Sequence, residues 1–404
     1  MTLTLAAYAT ANGVLQQDFV LEALRNSPED RAEAPIYSEL ITRGLVSPTL
    51  QVRFDWRTLG LPGRRNQVNN GGAAYDANTT SIVVDDASVF PVDHLVLCEA
   101  TREVILVTAR NLGNNTLTVV RGVGTATGQG GVAAAAGSVA DNVWLNVIGP
   151  AKAEATQAMA FRAASLGTAW NFCQNFGETV RISNLMLGSQ SEHEEARGYE
   201  RRQKSWIALR NIERAILFGS RGTTTASGGG VSYSMMGLLN AITTNRFTGV
   251  GALSRATFET THVPSIFATG TMRKLLVCGP TAFSVFQTIY RDTVQRTPSE
   301  RLGGSNIEII RTPYGELIPV LSRSLDGGFA GTAIAVDIES NVRLRHLPQP
   351  AMGNAPATSG LLQLVENTGA PDLEAVQDEW RANVGLQYGN EGDHAVMLGI
   401  SGSA

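Results

Sequence analysis

Lysine is nearly missing from this chain of 404 residues: only Lys152, Lys204 and Lys274 occur, and every other basic side chain is arginine. No Gly-Lys pair exists, so the phosphate-cradling G-x-x-x-x-G-K-[ST] loop is absent and nucleoside triphosphate hydrolysis has no support. Cysteine is as scarce. Cys98, Cys173 and Cys278 lie far apart with no CxxC pair, which argues against a disulfide framework or a zinc site and fits reduced core residues. Nowhere do eighteen apolar residues run together, and the first thirty residues lack a basic start followed by an apolar stretch. Neither a membrane span nor an export signal is expected, and the protein should stay where it is made. The net charge of −4, with five scattered histidines, is wrong for a protein whose task is to neutralise phosphate; any DNA nearby is contained and not tightly bound.

What is present is ordinary for a folded chain of two or three domains, with 43% hydrophobic and 17% charged residues. The arginine bias has two readings. The planar fork of arginine pairs with carboxylates across interfaces more specifically than lysine does, whereas a GC-rich genome would give the same bias without function.

Residues 1–47 read as an arm with short helices at Gln17 to Arg25 and Tyr37 to Arg43, separated by NSPEDRAEAP. TLQVRFDW from Thr49 alternates like a strand and opens an extended excursion over 48–77, whose return leg over 150–185 includes WNFCQNFGETVRI. Between the legs, SIVVDD, HLVLCE, EVILVTA, TLTVVRG and NVWLNVIG are short β-branched runs separated by Asp, Asn and Gly turns. They predict a small all-β module inserted over 78–149, with GTATGQGGVAAAAGS as a low-complexity loop.

The clearest helix opens at Ser191 and Glu194, in capping-box spacing, and closes at Gly219. Tyr199, Trp206, Leu209, Ile212 and Ile216 form its apolar stripe, and Arg201, Arg202, Lys204, Arg210, Glu213 and Arg214 its polar face. Beyond the loop SRGTTTASGGGVS, MMGLLNAITTN and ATFETTHVPSIFATG read as helices, KLLVCG as a buried strand and PTAFSVFQTIYRD as a helix with Pro280 at its first position. IEIIRTPYGELIPVLSR then reads as a β pair, TAIAVDI and VRLRHLP as strands, and EAVQDEWRANVGLQYG and HAVMLGI as closing strands. The class is α+β with a β insertion.

This order of parts resembles the major capsid proteins of tailed bacteriophages, the Hong Kong 97 type fold, in the branch with a β insertion. The resemblance is carried by EHEEARGYERRQKSWIALRNIERAILFGSRG followed by MMGLLNAITTN, and later by RTPYGELIPVLSR followed by AIAVDIESNVRLRHLP. It covers residues 165–400, with the arm and the insertion agreeing in position and style. The resemblance implies a peripheral domain over 186–235 and 372–404 built on a spine helix, and an axial domain over 236–371. It further implies a subunit that assembles through homo-pentamers and homo-hexamers into an icosahedral shell around phage double-stranded DNA. Portal, scaffold and decoration proteins would be partners, assembly would take place in the host cytoplasm, and no cofactor, metal or catalytic residue is called for. Two departures stand out. Lys152 is the only lysine near the extended loop, so the lysine-to-asparagine crosslink of the prototype is not expected, and no large N-terminal scaffolding region is present, which points to a separate scaffold. An encapsulin-like compartment shell, or a glycan-binding or hydrolytic phage protein working through the β module, are the alternatives.

Competing chemistry finds little support. GVGTATG at 122–128 is followed by a low-complexity tract and not by the helix of a dinucleotide fold. Asp85 and Asp86 suit a turn, because neighbours on a strand point to opposite faces. His193 lacks the second histidine of H-E-x-x-H, His94, His262, His346 and His394 have no evident partner, and no serine sits in G-x-S-x-G. For subunit contacts, Trp56 and Trp170 flank a loop with little local sequence to bury them. Arg64 and Arg65 at its tip are candidates to meet Glu192, Glu194 and Glu195 of a neighbour's spine helix, or else are solvated surface arginines.

Overall fold

The computed structural model describes residues 33–59, 63–124, 136–150, 166–184, 196–290, 309–349, 359–369 and 374–403. The arm helix expected at Gln17 to Arg25 lies outside them, as do Lys152, His193, Glu192, Glu194 and Glu195. The fold is α+β with strands dominating, and it divides into two compact units, Met1–Thr58 with Thr168–Ala404 and Leu59–Gly167.

The first unit begins with α1 (Pro35–Thr42). Proline suits the first turn because no N–H is needed there. Gly44, at φ +68, closes the helix: its N–H reaches Ile41 O at 2.9 Å, and Leu45 N–H reaches Leu40 O at 2.8 Å. β1 (Val46–Pro48) follows, then β2 (Arg53–Leu59), where period-two alternation buries Phe54 and Trp56 and leaves Arg53, Asp55 and Arg57 in solvent.

The second unit is a single antiparallel sheet of β3 (Arg65–Gln67), β4 (Ser81–Val83), β5 (His94–Cys98), β6 (Val104–Asn111), β7 (Thr116–Val120) and β8 (Trp144–Pro150). The strand order is β3-β8-β5-β6-β7-β4, and a bridge between Val68 and Val84 joins its two ends into a small barrel. Inward positions are β-branched or aliphatic: Ile82, Val96, Ile105, Val107, Leu117, Val119 and Leu145. The module therefore starts earlier than the sequence pattern suggested, because β3 pairs with β8 and Val68 enters the core. Three-residue strands such as β3 carry too little alternation to be read from sequence alone.

One buried ion pair organises the barrel's open end. Both carboxylate oxygens of Glu103 accept from Arg121 at 2.7 Å, and they also accept the Gly122 N–H at 2.9 Å and the Gly137 N–H at 3.2 Å. Burial alone would raise the Glu103 pKa, but these donors hold it below the usual carboxylate value. The two ends of the low-complexity tract are thus pinned to one side chain.

The first unit resumes with β9 (Leu166–Phe172), which pairs with β2 as a two-stranded ribbon, and β10 (Gln174–Ser183). Helix α2 (Ala196–Phe218) is followed by the hairpin β11 (Gly222–Thr225) and β12 (Val231–Ser234) and by the one-turn α3 (Leu238–Ala241). MMGLLNAITTN is thus helical over four residues only. Ile242 turns extended, and the Thr243 and Thr244 N–H groups are taken by the Glu391 carboxylate at 3.0 and 3.2 Å.

Two larger sheets and a parallel pair make up the rest. In the six-stranded one the order is β13 (Arg246–Phe247), β22 (Ala395–Met397), β18 (Ala333–Val336), β15 (Arg273–Cys278), β17 (Gly315–Leu321) and β16 (Ile310–Thr312). A separate parallel pair joins β14 (Gly251–Leu253) to β23 (Ile400–Ser403). Residues 255–266 are helical, with a π turn over Phe258–His262, and α4 is Pro280–Tyr290. Pro264 has no N–H to give back to that π turn, which accounts for the widening. The five-stranded sheet runs β1, β19 (Val342–His346), β21 (Ala375–Tyr388) and β10, with β20 (Gln363–Val365) also on β21. β10 and β21 pair over ten residues, from Gln174 opposite Val384 to Ser183 opposite Ala375, and α2 packs on both.

Glu103→Ala is expected to leave a buried guanidinium and two N–H groups unanswered, costing about 3–5 kcal/mol. Hydrogen exchange of the full chain should show amides in β5 to β7 losing protection while β15 and β17 keep theirs; unchanged barrel protection would contradict the clamp.

Candidate assembly site and the helix frame that positions it

Helix α2 is charged along most of its length, and its sequence assigns Arg201 and Glu213 to a solvent face. Both are buried, at 8% and 0% exposure. Asp378 of β21 explains the first. Its Oδ2 accepts from Arg197 Nε at 2.8 Å and Arg201 Nε at 2.9 Å, and its Oδ1 accepts from Arg197 Nη2 at 2.7 Å and the Asn367 N–H at 3.0 Å. Arg201 also reaches Glu366 at 2.9 Å, and Trp380 Nε1 donates to Arg201 O at 2.8 Å. Burial would raise the Asp378 pKa, yet the two guanidiniums and the amide pull it down to about 2. Positions 197 and 201 lie one helical turn apart, which is what lets one carboxylate take both.

Glu213 answers a different need. Ala34, at the N-cap of α1, has no side chain to cap with, and the orphaned N–H groups of Ile36 and Tyr37 donate to Glu213 Oε1 at 3.2 Å and Oε2 at 3.0 Å. The long helix thereby caps the arm helix in trans. Complete burial pushes the Glu213 pKa up to about 7 against those two hydrogen bonds.

The end of α2 is set by a close backbone crossing. Gly237 N–H donates to Gly219 O at 2.9 Å, and a Cβ at residue 219 would lie 2.4 Å from Met235 O. These glycines belong to the LFG and MMGLL stretches singled out in the sequence, and the crossing supplies their physical reason. Of the apolar stripe, Leu209, Ile212 and Ile216 are buried, while Tyr199 is half exposed.

The interface candidates fare differently. Trp56 is enclosed by its own subunit: Nε1 donates to Gly389 O at 2.8 Å, and the ring meets Tyr388 edge-on at 4.9 Å. Its loop does not have to bury it, because β21 and the segment after it do. Arg65 stacks on Trp144 at 4.6 Å and pairs with Glu99 at 3.6 Å, whereas the exposed Arg64 offers only its backbone carbonyl, to Val147 N–H at 2.8 Å. Trp170 remains half-buried on β9, with the Arg53 and Arg221 guanidiniums 4.3 and 3.7 Å from its ring. Phe172 meets it edge-on at 5.2 Å and meets Tyr233 of β12 at the same distance. Arg53, Arg221 and Tyr233 were not read from the sequence. They lie at widely separated positions, so no local pattern in the sequence groups them.

No group of three or more His, Cys, Asp or Glu suited to a metal ion occurs among the described residues. Asp86 caps Ser88 N–H at 2.8 Å, and Asp85 accepts from Asn69 at 2.8 Å. His394, which had no evident partner in sequence, is buried with Nδ1 accepting the Asp337 N–H at 3.0 Å and Nε2 facing Tyr388 O at 2.6 Å. That arrangement assigns its proton to Nε2. Lys274 is buried too, its ammonium donating to Ile266 O, Thr269 O and Asp393 O at 2.6–2.9 Å. His394 and Lys274 are internal braces, bonded to backbone groups of the fold.

A capped arm helix, a ribbon, a long helix on a sheet, a second mixed sheet and an inserted barrel make a braced frame with no catalytic or metal-binding constellation among the described residues. The model of the SU10 major capsid protein family matches residues 8–401, and the chain belongs to that family. It is a phage major capsid protein, and its place is in the virion shell. None of the curated proteins matches the sequence. Among solved structures it is similar to the holo-SrpI encapsulin complex from Synechococcus elongatus PCC 7942, at 13% identity over 59% of this chain and 78% of that one, with a TM-score of 0.41. It is also similar to the capsid of an empty GTA particle, at 12% identity over 63% and 81% with a TM-score of 0.42, and to Mycobacterium phage Patience, at 15% over 63% and 78% with 0.36. At these identities and scores, the family match establishes the class.

Asp378→Ala should cost about 3–5 kcal/mol in urea unfolding, since it strands two guanidiniums in the sheet face; a loss under about 1 kcal/mol would mean that solvent answers them. The Asp378 contribution is complete above its ordinary value and is lost as pH falls toward 2. Glu213 runs the other way. Its raised folded value means that its contribution is complete below the ordinary carboxylate pKa and is lost as pH rises through about 7. Protection of α1 amides, corrected for intrinsic exchange, should fall between pH 5 and 8 in the native chain and stay level in Glu213→Gln; parallel curves would contradict this.

Proposed function

We propose that this major capsid protein assembles through homo-pentamers and homo-hexamers into an icosahedral shell around double-stranded DNA, without catalysing a reaction. The observation that supports this most is the division of labour in the chain. One unit is a frame braced by internal charge pairs, and the other is a barrel with its own separate core. A long helix fixed at several points suits a subunit that must hold its shape under load from neighbours. In this reading the peripheral domain comprises 186–235 and 372–404, the axial domain 236–371, and the extended loop 48–77 with 150–185. Trp170 and Arg64 are the interface candidates whose side chains remain available, with Glu192, Glu194 and Glu195 as the acidic ones.

A separate scaffold protein, a portal and decoration proteins are its partners in this reading, and assembly takes place in the host cytoplasm. Net charge −4 accords with DNA that is enclosed and not gripped.

Electron microscopy of the purified full chain, concentrated with and without a co-expressed scaffold, should show rings of five or six, tubes or closed shells. A persistent monomer under both conditions would contradict the proposal.

A further inference from the structure

The ribbon strand β9 and the hairpin strand β12 build a surface that nothing in the described fold covers. Trp170 and Phe172 share one face of β9, and the aromatic line continues to Tyr233, with Val231 two residues before it on β12. Tyr233 and Val231 are 36% and 62% exposed. Arg53 is neutralised by Asp55 at 3.1 Å, but among the described residues no carboxylate pairs with Arg221, which stacks on Trp170 and donates from Nη1 to Trp170 O at 2.6 Å. Tryptophan, tyrosine and a guanidinium with no carboxylate partner among the described residues are the composition of an interface hot spot suited to an anion.

The chain carries a matching acidic run. Glu192, Glu194 and Glu195 put three carboxylates into four residues, directly before Ala196, where α2 begins. Arg221 lies three residues beyond Phe218, where α2 ends. Twenty-three residues of helix separate the two by about 34 Å at 1.5 Å per residue. Glu195 is one residue from the helix start and Glu192 only four, too few to span that distance. A subunit therefore cannot satisfy its own Arg221 with its own acidic run.

We propose that the Arg53–Trp170–Arg221 platform, with Phe172 and Tyr233, receives the acidic run Glu192 to Glu195 of a second copy of this chain. The contact is head-to-tail along α2: the C-terminal end of one helix meets the Glu192 to Glu195 run of the next. Such a heterologous contact uses two different patches, so repeating it generates a ring when the rotation closes, which is the geometry a capsomer needs. It rests on the assembly reading above and specifies the pairing within it. It also reassigns the acids from Arg64 and Arg65, the second of which already has Glu99 and Trp144.

The test is charge reversal in the full chain, read as closed shells per subunit by sedimentation and electron microscopy, with helix content checked by circular dichroism. Arg221→Glu is expected to reduce shells at least tenfold, as is the triple variant Glu192→Arg, Glu194→Arg, Glu195→Arg, and combining all four should restore them to within about twofold of the native yield. Because Arg221→Glu also removes the bond to Trp170 O, an independent pair, Tyr233→Cys with Glu194→Cys, is oxidised in assembled shells; the native cysteines are buried. Interchain disulfide ladders are expected. Native yield from Arg221→Glu, failure of the combined variant to rescue, or absence of interchain disulfides in intact shells overturns the contact alone. Absence of shells from the native chain overturns the assembly reading and this contact with it.

Discussion

Asp378 holds two arginines from successive turns of α2, and most of the first unit depends on that meeting. The first turns of α2, from Ala196 to Ser205, carry only Ala196 and Tyr199 as apolar residues, so burial alone does not fix that end on the sheet. In a low-dielectric setting an unpaired guanidinium is strongly unfavourable, so a single carboxylate that answers both selects one position and one rotation of the helix. Trp380 adds a directional bond to Arg201 O in the same place. With the start of α2 so fixed, Glu213 four turns on stands under α1, and the arm helix gains the cap that its own sequence lacks.

The far end of α2 is governed by sterics. Gly219 and Gly237 let two backbone segments cross at hydrogen-bond distance, which turns the chain into the β11–β12 hairpin and brings Tyr233 to Phe172 and Arg221 to Trp170. Charge pairs at one end and a glycine crossing at the other thus determine which surfaces the helix presents. For a shell subunit this matters more than net stability, because errors in the angle between contacts accumulate around a ring.

Long periodic elements were legible in the sequence: α2, the buried β15, the Pro280 helix, the β16–β17 pair and the β-branched runs of the barrel. The places that misled are those where tertiary contacts override local pattern. Arg201 and Glu213 look like surface residues until Asp378 and the α1 amides are placed against them. Trp56 looks stranded until Tyr388 and Gly389 arrive from more than three hundred residues away. MMGLLNAITTN has helical composition but becomes a single turn, because Glu391 captures the threonine amides. The Trp170 platform was half visible: the tryptophan stood out, but its two arginines come from separate segments and carry no motif.

A side-chain-resolution cryo-electron microscopy reconstruction of assembled particles tests the whole account most directly. It should show this chain repeated around five-fold and six-fold rings, with continuous density from Asp378 to Arg197 and Arg201 in every copy. Particles whose shell consists of this chain with α2 lifted from β21 and Asp378 facing solvent, or particles whose shell is another protein, would contradict it.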